Sequence, residues 1–168
     1  MGSGVIRPYE ASDFAQLVEI FWETSARTEF ASEQEKLAFR QQYLDAYLSD
    51  VILVATAGPR VLGYVLCQTD TLGQRSQWPP HLHLFADLYA EFPAHLHINF
   101  RAEARGTGLG SALIGALEEL LVQCGKKGLH LITAASARNV SFYNKNGFNR
   151  QEARDWKGTS LLFMGKTL

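Results

Sequence analysis

Phe14, Leu17, Val18 and Phe21 recur at the i, i+3, i+4, i+7 spacing of an amphipathic helix, behind the short β-branched run Val5-Ile6-Arg7 that Pro8 closes. A strand followed by a helix is predicted. From about Ser32 to Leu48, Leu37, Leu44, Tyr47 and Leu48 share one helical face, while Glu33, Glu35, Lys36 and Arg40 supply a wet one. That spacing predicts a second helix. Val51 to Ala57 and Val61 to Thr69 are two β-rich runs joined by Gly58-Pro59-Arg60, which predicts a hairpin. Between Asp70 and Ala94 the periodicity lapses into a Trp78-Pro79-Pro80 cluster and a mixed aromatic patch, too long and too apolar for a solvated connection. It reads as a substrate-facing insertion.

His95 to Phe100 alternates polar and apolar side chains as a strand does, and Gly108 to Val122 carries Leu113, Leu117, Leu120 and Leu121 on a helical stripe ending near Gly125. Leu129 to Thr133 predicts another strand. Asn139 is placed to cap a short helix through Asn144 that Gly147 closes, and two last strands flank the Lys157-Gly158 turn. The order β, α, α, β, β, β, α, β, α, β, β mixes hairpins with a strand-helix-strand crossover, which predicts an α/β fold with helices around a mixed sheet.

A length of 168 residues with 46% hydrophobic and 20% charged residues suits one self-sufficient domain. Met1-Gly2-Ser3-Gly4 reads as a cloning remnant, leaving residues 5–168 as that domain. The 16 basic and 17 acidic residues are spread without a run of like charge, which argues against nucleic acid or an anionic membrane as partner. Apolar stretches such as Val51 to Ala57 are too short to span a bilayer, and no export signal is visible. Cys67 and Cys124 lack zinc or redox spacing, so free thiols in a reducing, cytoplasmic setting are expected, with no metal.

Arg105-Gly106-Thr107-Gly108-Leu109-Gly110 lies between a predicted strand and the helix it opens, where backbone N–H groups and the helix dipole converge on an anion. Three glycines in five positions let a pyrophosphate approach the backbone closely. Tight packing alone would also explain them. A nucleotide P-loop needs Lys and then Ser or Thr after its last glycine, and here Ser111-Ala112 follows. A dinucleotide fingerprint needs GxGxxG and an acid ending the next strand; this spacing is GxGxG and that strand ends Ile132-Thr133-Ala134. Both readings fail.

Joined to its flanks, the turn resembles the GNAT superfamily of N-acetyltransferases. The resemblance covers nearly the whole chain in element order and is sharpest from His95 to Phe148. The family pattern Arg/Gln-x-x-Gly-x-Gly/Ala falls on Arg105, Gly108 and Gly110, and Asn139 followed by Phe142-Tyr143-Asn144-Lys145-Asn146-Gly147-Phe148 is similar to the second cofactor motif, often written FYEKLGF. The strand Pro93 to Ile98 with its aromatic insertion also resembles acetyltransferase-like domains related to the one in O-GlcNAc hydrolases.

The resemblance implies acetyl-CoA as cofactor and an acetyl group passed directly to a primary amine of a small-molecule or peptide acceptor. It implies that Ile98, Asn99 and Phe100 bracket the pantetheine arm and polarise the thioester. Arg105, Gly106, Thr107, Gly108, Leu109, Gly110 and Ser111 would hold the pyrophosphate. Asn139 would touch the pantetheine, Phe142 belongs to the same motif, and Tyr143 would bond the CoA sulfur as general acid. Dimers are common in the family, so a homodimer is an expected assembly.

The residues themselves leave choices open. Tyr143 also reads as a core-edge side chain, and Asn139 as a helix cap. His97 is the leading candidate base, since an imidazole suits proton removal near neutrality, ahead of His95, His81, His83, Asp87 and Glu91. A purely structural strand histidine is the other reading. Trp78, His81, His83, Asp87, Tyr89 and His95 are candidates to line the acceptor pocket; an ordinary packed loop explains them equally. The rival to an enzyme is a catalytically weak or inactive CoA-binding or interaction module.

Overall fold

In a computed structural model the described residues are 4–168; Met1, Gly2 and Ser3 of the expected cloning remnant lie outside them. The elements are β1 (Val5–Pro8), α1 (Phe14–Thr24), α2 (Glu33–Tyr43), β2 (Val51–Ala57), β3 (Arg60–Gln68), β4 (Ala94–Phe100), α3 (Leu109–Gln123), β5 (Gly128–Ala134), α4 (Val140–Lys145), β6 (Arg150–Trp156) and β7 (Thr159–Thr167). This order is the predicted one. The chain divides into two compact units, one running up to Cys67 and resuming over His97–Leu117, the other made of Gln68–Leu96 and Glu118–Leu168.

The first unit is a β1-β2-β3 meander of antiparallel pairs, with Ile6 opposite Ala55 and Val54 opposite Tyr64. Alternation along β2 and β3 turns Ile52, Val54, Tyr64 and Leu66 to a core that α1 caps with Leu17, Ile20 and Phe21. The hairpin is tight, Ala57 facing Arg60 across Gly58 and Pro59, with Gly58 at φ 58°.

The second helix departs from expectation. It starts where Ser32 accepts a hydrogen bond from the Glu35 N–H, but ends at Tyr43 because Leu44 leaves helical geometry at φ −128°, ψ −61°. Asp45 to Tyr47 form a 3-10 turn, and Arg40 reaches across to Asp45 at 3.1 Å. Leu44 and Tyr47 are buried as expected; Leu37 is 43% exposed and α2 buries no residue fully.

At the entry to α1, Arg7 grips Asp13 with two hydrogen bonds of 2.7 and 2.8 Å, and the Glu10 N–H donates to the same carboxylate. Arg7's hydrogen bonds, opposed by burial, hold the Asp13 carboxyl below its ordinary value. A depressed folded value means that the stabilisation is complete above the unfolded pKa, about 3.9, and is lost as pH falls through the folded one. Asp13→Asn is therefore expected to destabilise the protein at neutral pH by about 1.5–3 kcal/mol. The gap from wild type in urea midpoint should close in acid; a gap independent of pH would refute the ion pair's role.

The second unit carries a mixed sheet. β4 and β5 run parallel, with Ala94 on Leu129 and His95 on His130, whereas β7 is antiparallel to both β5 and β6. Lys157 and Gly158 turn between β6 and β7 at φ 51° and 81°, the paired positive angles of a type I′ hairpin. Residues 70–94 hold two 3-10 segments, Leu72–Gln77 and Pro80–Phe85, that pack Trp78, Leu82, Phe85, Leu88, Tyr89 and Phe92 around Phe163. No described helix is long and apolar enough to cross a membrane.

Candidate functional site

The glycine turn has the geometry its sequence promises. Gly106 and Gly108 stand at φ 75° and 87°, in the left-handed region, and a Cβ on either would meet nothing within 4 Å. Arg105, Gly106, Thr107 and Gly108 are exposed, and the Thr107 hydroxyl donates back to the Ala104 carbonyl at 2.7 Å, pinning the turn from inside. The first α-helical bond of α3 runs from the Ala112 N–H to the Gly108 carbonyl. The N–H groups of Leu109, Gly110 and Ser111 therefore have no acceptor within the helix. Fifteen residues of aligned peptide dipoles stand behind them. Open glycine backbone, a helix N-terminus and an exposed Arg105 fit a bound pyrophosphate.

Leading into the turn, the second half of β4 is held within the first unit from two sides. The Asn99 side-chain amide donates to the Tyr64 hydroxyl at 2.9 Å, and the Phe100 ring fills the space where a Cβ on Gly63 would stand. Arg101 then anchors the strand end: its N–H donates to the Leu62 carbonyl at 2.9 Å and its Nε to the Val61 carbonyl at 3.0 Å. Its two terminal nitrogens reach Glu19 at 2.6 Å and Glu23 at 2.5 Å on α1. The spacing i, i+4 sets those two carboxylates one helical turn apart, so a single guanidinium takes both.

His97 sits beside this anchor. Its Nε2 lies 2.9 Å from the Tyr47 hydroxyl, and the two rings meet edge on at 5.0 Å. Burial pushes the Tyr47 phenol well above its ordinary value, so it stays protonated and neutral next to the imidazole. His97 and Asn99 open onto a cavity of about 170 Å³ whose other walls are Phe21, Thr24, Ser25 and Ala26 at the end of α1 and Phe39 and Tyr43 on α2. None of those six wall residues, nor Tyr47, was a site candidate in the sequence, where Phe21 and Tyr47 were read only as apolar helix positions. Their helical spacing marks them as core, and only a contact spanning 50 residues brings Tyr47 to His97.

The remaining candidates belong to the second unit. Tyr143 is 4% exposed, flanked edge on by Phe142 and Phe148, and burial raises its phenol above the ordinary range. Asn139 stands at the N-cap of α4, but its side chain makes no capping bond; its Oδ1 accepts from the Thr133 hydroxyl at 3.1 Å instead. Trp78, Tyr89 and His95 are core residues: the indole N–H donates to the Thr71 carbonyl, the Tyr89 hydroxyl to the Leu82 carbonyl, and His95 stacks on His130 at 4.7 Å. His83, Asp87 and Glu91 are exposed. Asp87 is engaged by Arg154 at 2.7 and 2.8 Å, which holds its carboxyl below the usual range; burial lowers the His81 imidazole.

The model of the Acetyltransferase (GNAT) family matches residues 14–148. Among solved structures the chain is similar to SsHAT, at 20% identity and a TM-score of 0.77 over 99% of this chain and 98% of that one. It is also similar to a ribosomal-protein-alanine N-acetyltransferase from Brucella melitensis, at 22% identity, TM-score 0.65, over 98% and 99% of the two chains. YncA from Salmonella typhimurium, solved with acetyl-CoA as its cofactor, aligns at 19% identity and TM-score 0.64 over 99% and 95%.

Proposed function

The chain belongs to the acetyltransferase (GNAT) family, whose chemistry is acetyl transfer from acetyl-CoA, and from that premise we propose that it acetylates the primary amine of a small-molecule or peptide acceptor by direct attack in a ternary complex. The observation that carries this reading is the left-handed, unobstructed glycine pair at the mouth of α3.

Residues 105–111 hold the pyrophosphate through the free N–H groups of the helix N-terminus and the Arg105 guanidinium. The backbone of Ile98, Asn99 and Phe100 brackets the pantetheine arm, and Asn139 and Phe142 contribute to cofactor binding by resemblance. When bound, the cofactor supplies a thioester carbonyl open to attack.

His97 removes a proton from the acceptor ammonium, and Tyr47 positions the ring. As the N–C bond forms the C–S bond breaks. Of the two protons that the ammonium gives up, one passes through His97 to solvent and the departing sulfur ends with the equivalent of the other. By resemblance the donor to that sulfur is Tyr143, which burial keeps protonated.

The test is thiol release from acetyl-CoA across a panel of amines. Wild type is expected to turn over at least one of them, and Tyr143→Phe to lower kcat by about 10² without weakening acetyl-CoA binding. Tight acetyl-CoA binding with no thiol release from any amine would leave a CoA-binding module as the correct account.

A further inference from the structure

The cavity beside His97 has a chemistry of its own. Phe21, Phe39 and Tyr43 give it aromatic walls, with the Phe39 ring 4.6 Å from Tyr43 and 5.9 Å from Phe21, and Trp22 and Phe30 backing Phe39 at 6.3 and 5.4 Å. Apart from His97, its polar groups are uncharged and partly occupied. The Thr24 hydroxyl donates to the Ile20 carbonyl, the Ser25 hydroxyl to that of Arg27, and the Asn99 amide to Tyr64. Burial raises the Tyr43 phenol, so it too stays neutral. No carboxylate and no cationic side chain appears among the described residues that line the space.

Charge complementarity narrows the acceptor. A polyamine would bring a second ammonium with no lining carboxylate to meet it, and an amino acid would bring a carboxylate when the guanidinium nearest the walls, Arg27 at 5.6 Å from the Phe39 ring, is already paired to Glu35 at 2.5 Å. An amino sugar would set some of its hydroxyls against the Phe21 and Phe39 rings, which offer them no partners. Size narrows it further: the recess opens to solvent and measures about 170 Å³, room for a small acceptor.

Resting on the amine-acetylation reading above, we propose that the acceptor is a monoamine carried on a single aromatic ring by a short aliphatic link. The ring lies among Phe21, Phe39 and Tyr43, and the amine is directed to His97 and the Asn99 carbonyl oxygen. The Asn99 Nδ2 is spent on Tyr64, which leaves that oxygen as an acceptor for the ammonium.

2-Phenylethylamine is the probe, with spermidine, glucosamine and alanine as comparisons, each titrated into the whole protein by calorimetry and assayed for acetyl transfer. Saturable binding of 2-phenylethylamine is expected, with kcat/KM at least about tenfold above the comparisons, within the range a hydrophobic pocket discriminates. Ala26→Trp, which narrows the cavity from the α1 end, should raise its KM at least about tenfold while leaving the acetyl-CoA Kd unchanged.

Preference for spermidine, glucosamine or alanine overturns the inference, as does absence of 2-phenylethylamine binding to folded wild type or an Ala26→Trp variant with unaltered KM and Kd. Binding of 2-phenylethylamine without transfer to any amine supports the pocket and defeats the enzymatic reading. Efficient transfer to the other amines alone does the reverse.

Discussion

Gly108→Trp is expected to abolish saturable acetyl-CoA binding, a loss of at least about a hundredfold in Kd, or about 2.7 kcal/mol, in a protein that still unfolds cooperatively. At φ 87° any L-residue is strained by about 1–2 kcal/mol, which a domain with several kcal/mol in hand survives. No neighbouring atom blocks the new side chain, so it extends into the space where the phosphates would stand. Gly108→Ala separates the two effects: it carries the same backbone strain with almost none of the bulk. Binding by calorimetry beside thermal unfolding reads both. Gly108→Trp with wild-type affinity would remove the turn from the cofactor site.

His97→Ala is expected to lower kcat by about 10²–10⁴ while the acetyl-CoA Kd stays put, because the imidazole lines the cavity beside Phe21 and Tyr43 and is no part of the glycine turn. Its removal should also alter the limb of the kcat/KM pH profile that reports the essential base. Tyr47→Phe keeps the ring contact and deletes the hydroxyl 2.9 Å from Nε2, so it should displace that limb without erasing it. Wild-type kcat and an unchanged profile in His97→Ala would pass the role of base to another group or to water.

The strands and helices were legible because their periodicities were clean and their ends punctuated. Gly125, at φ 70°, ends α3 with N–H bonds from Gly125 and Lys126 to the carbonyls of Val122 and Leu121, and Gly147 closes α4 at φ 86°. The glycine turn was legible for the same reason, since its backbone conformation is written in residue type. Residues 70–94 were not. Side chains on 3-10 turns recur every three residues over runs too short to show a period, and what orders Trp78, Leu82 and Phe85 is Phe163, far along the chain. Asn139 had the right type for a cap, yet the Thr133 hydroxyl on the neighbouring strand claims its oxygen. Leu37 shows the limit of a helical wheel: it fell on the apolar face of an idealised 17-residue helix, but the real helix stops at Tyr43, Leu44 and Tyr47 are buried beyond it, and Leu37 stays 43% exposed.

The unequal anchoring of the two helical walls has a bearing on how this protein could diversify. α1 is fastened by its buried Leu17, Ile20 and Phe21 and by the two carboxylates that Arg101 gathers, so replacements there would disturb the strand end that precedes the glycine turn. α2 presents Phe39 and Tyr43 to the same space while burying no residue fully. Drift at the exposed positions of Glu33–Tyr43 should cost folding little, and Phe39 and Tyr43, which pack against the core, also line the cavity. New substrate preferences, in nature or in a mutant library, should therefore accumulate on that second helix while the first stays fixed.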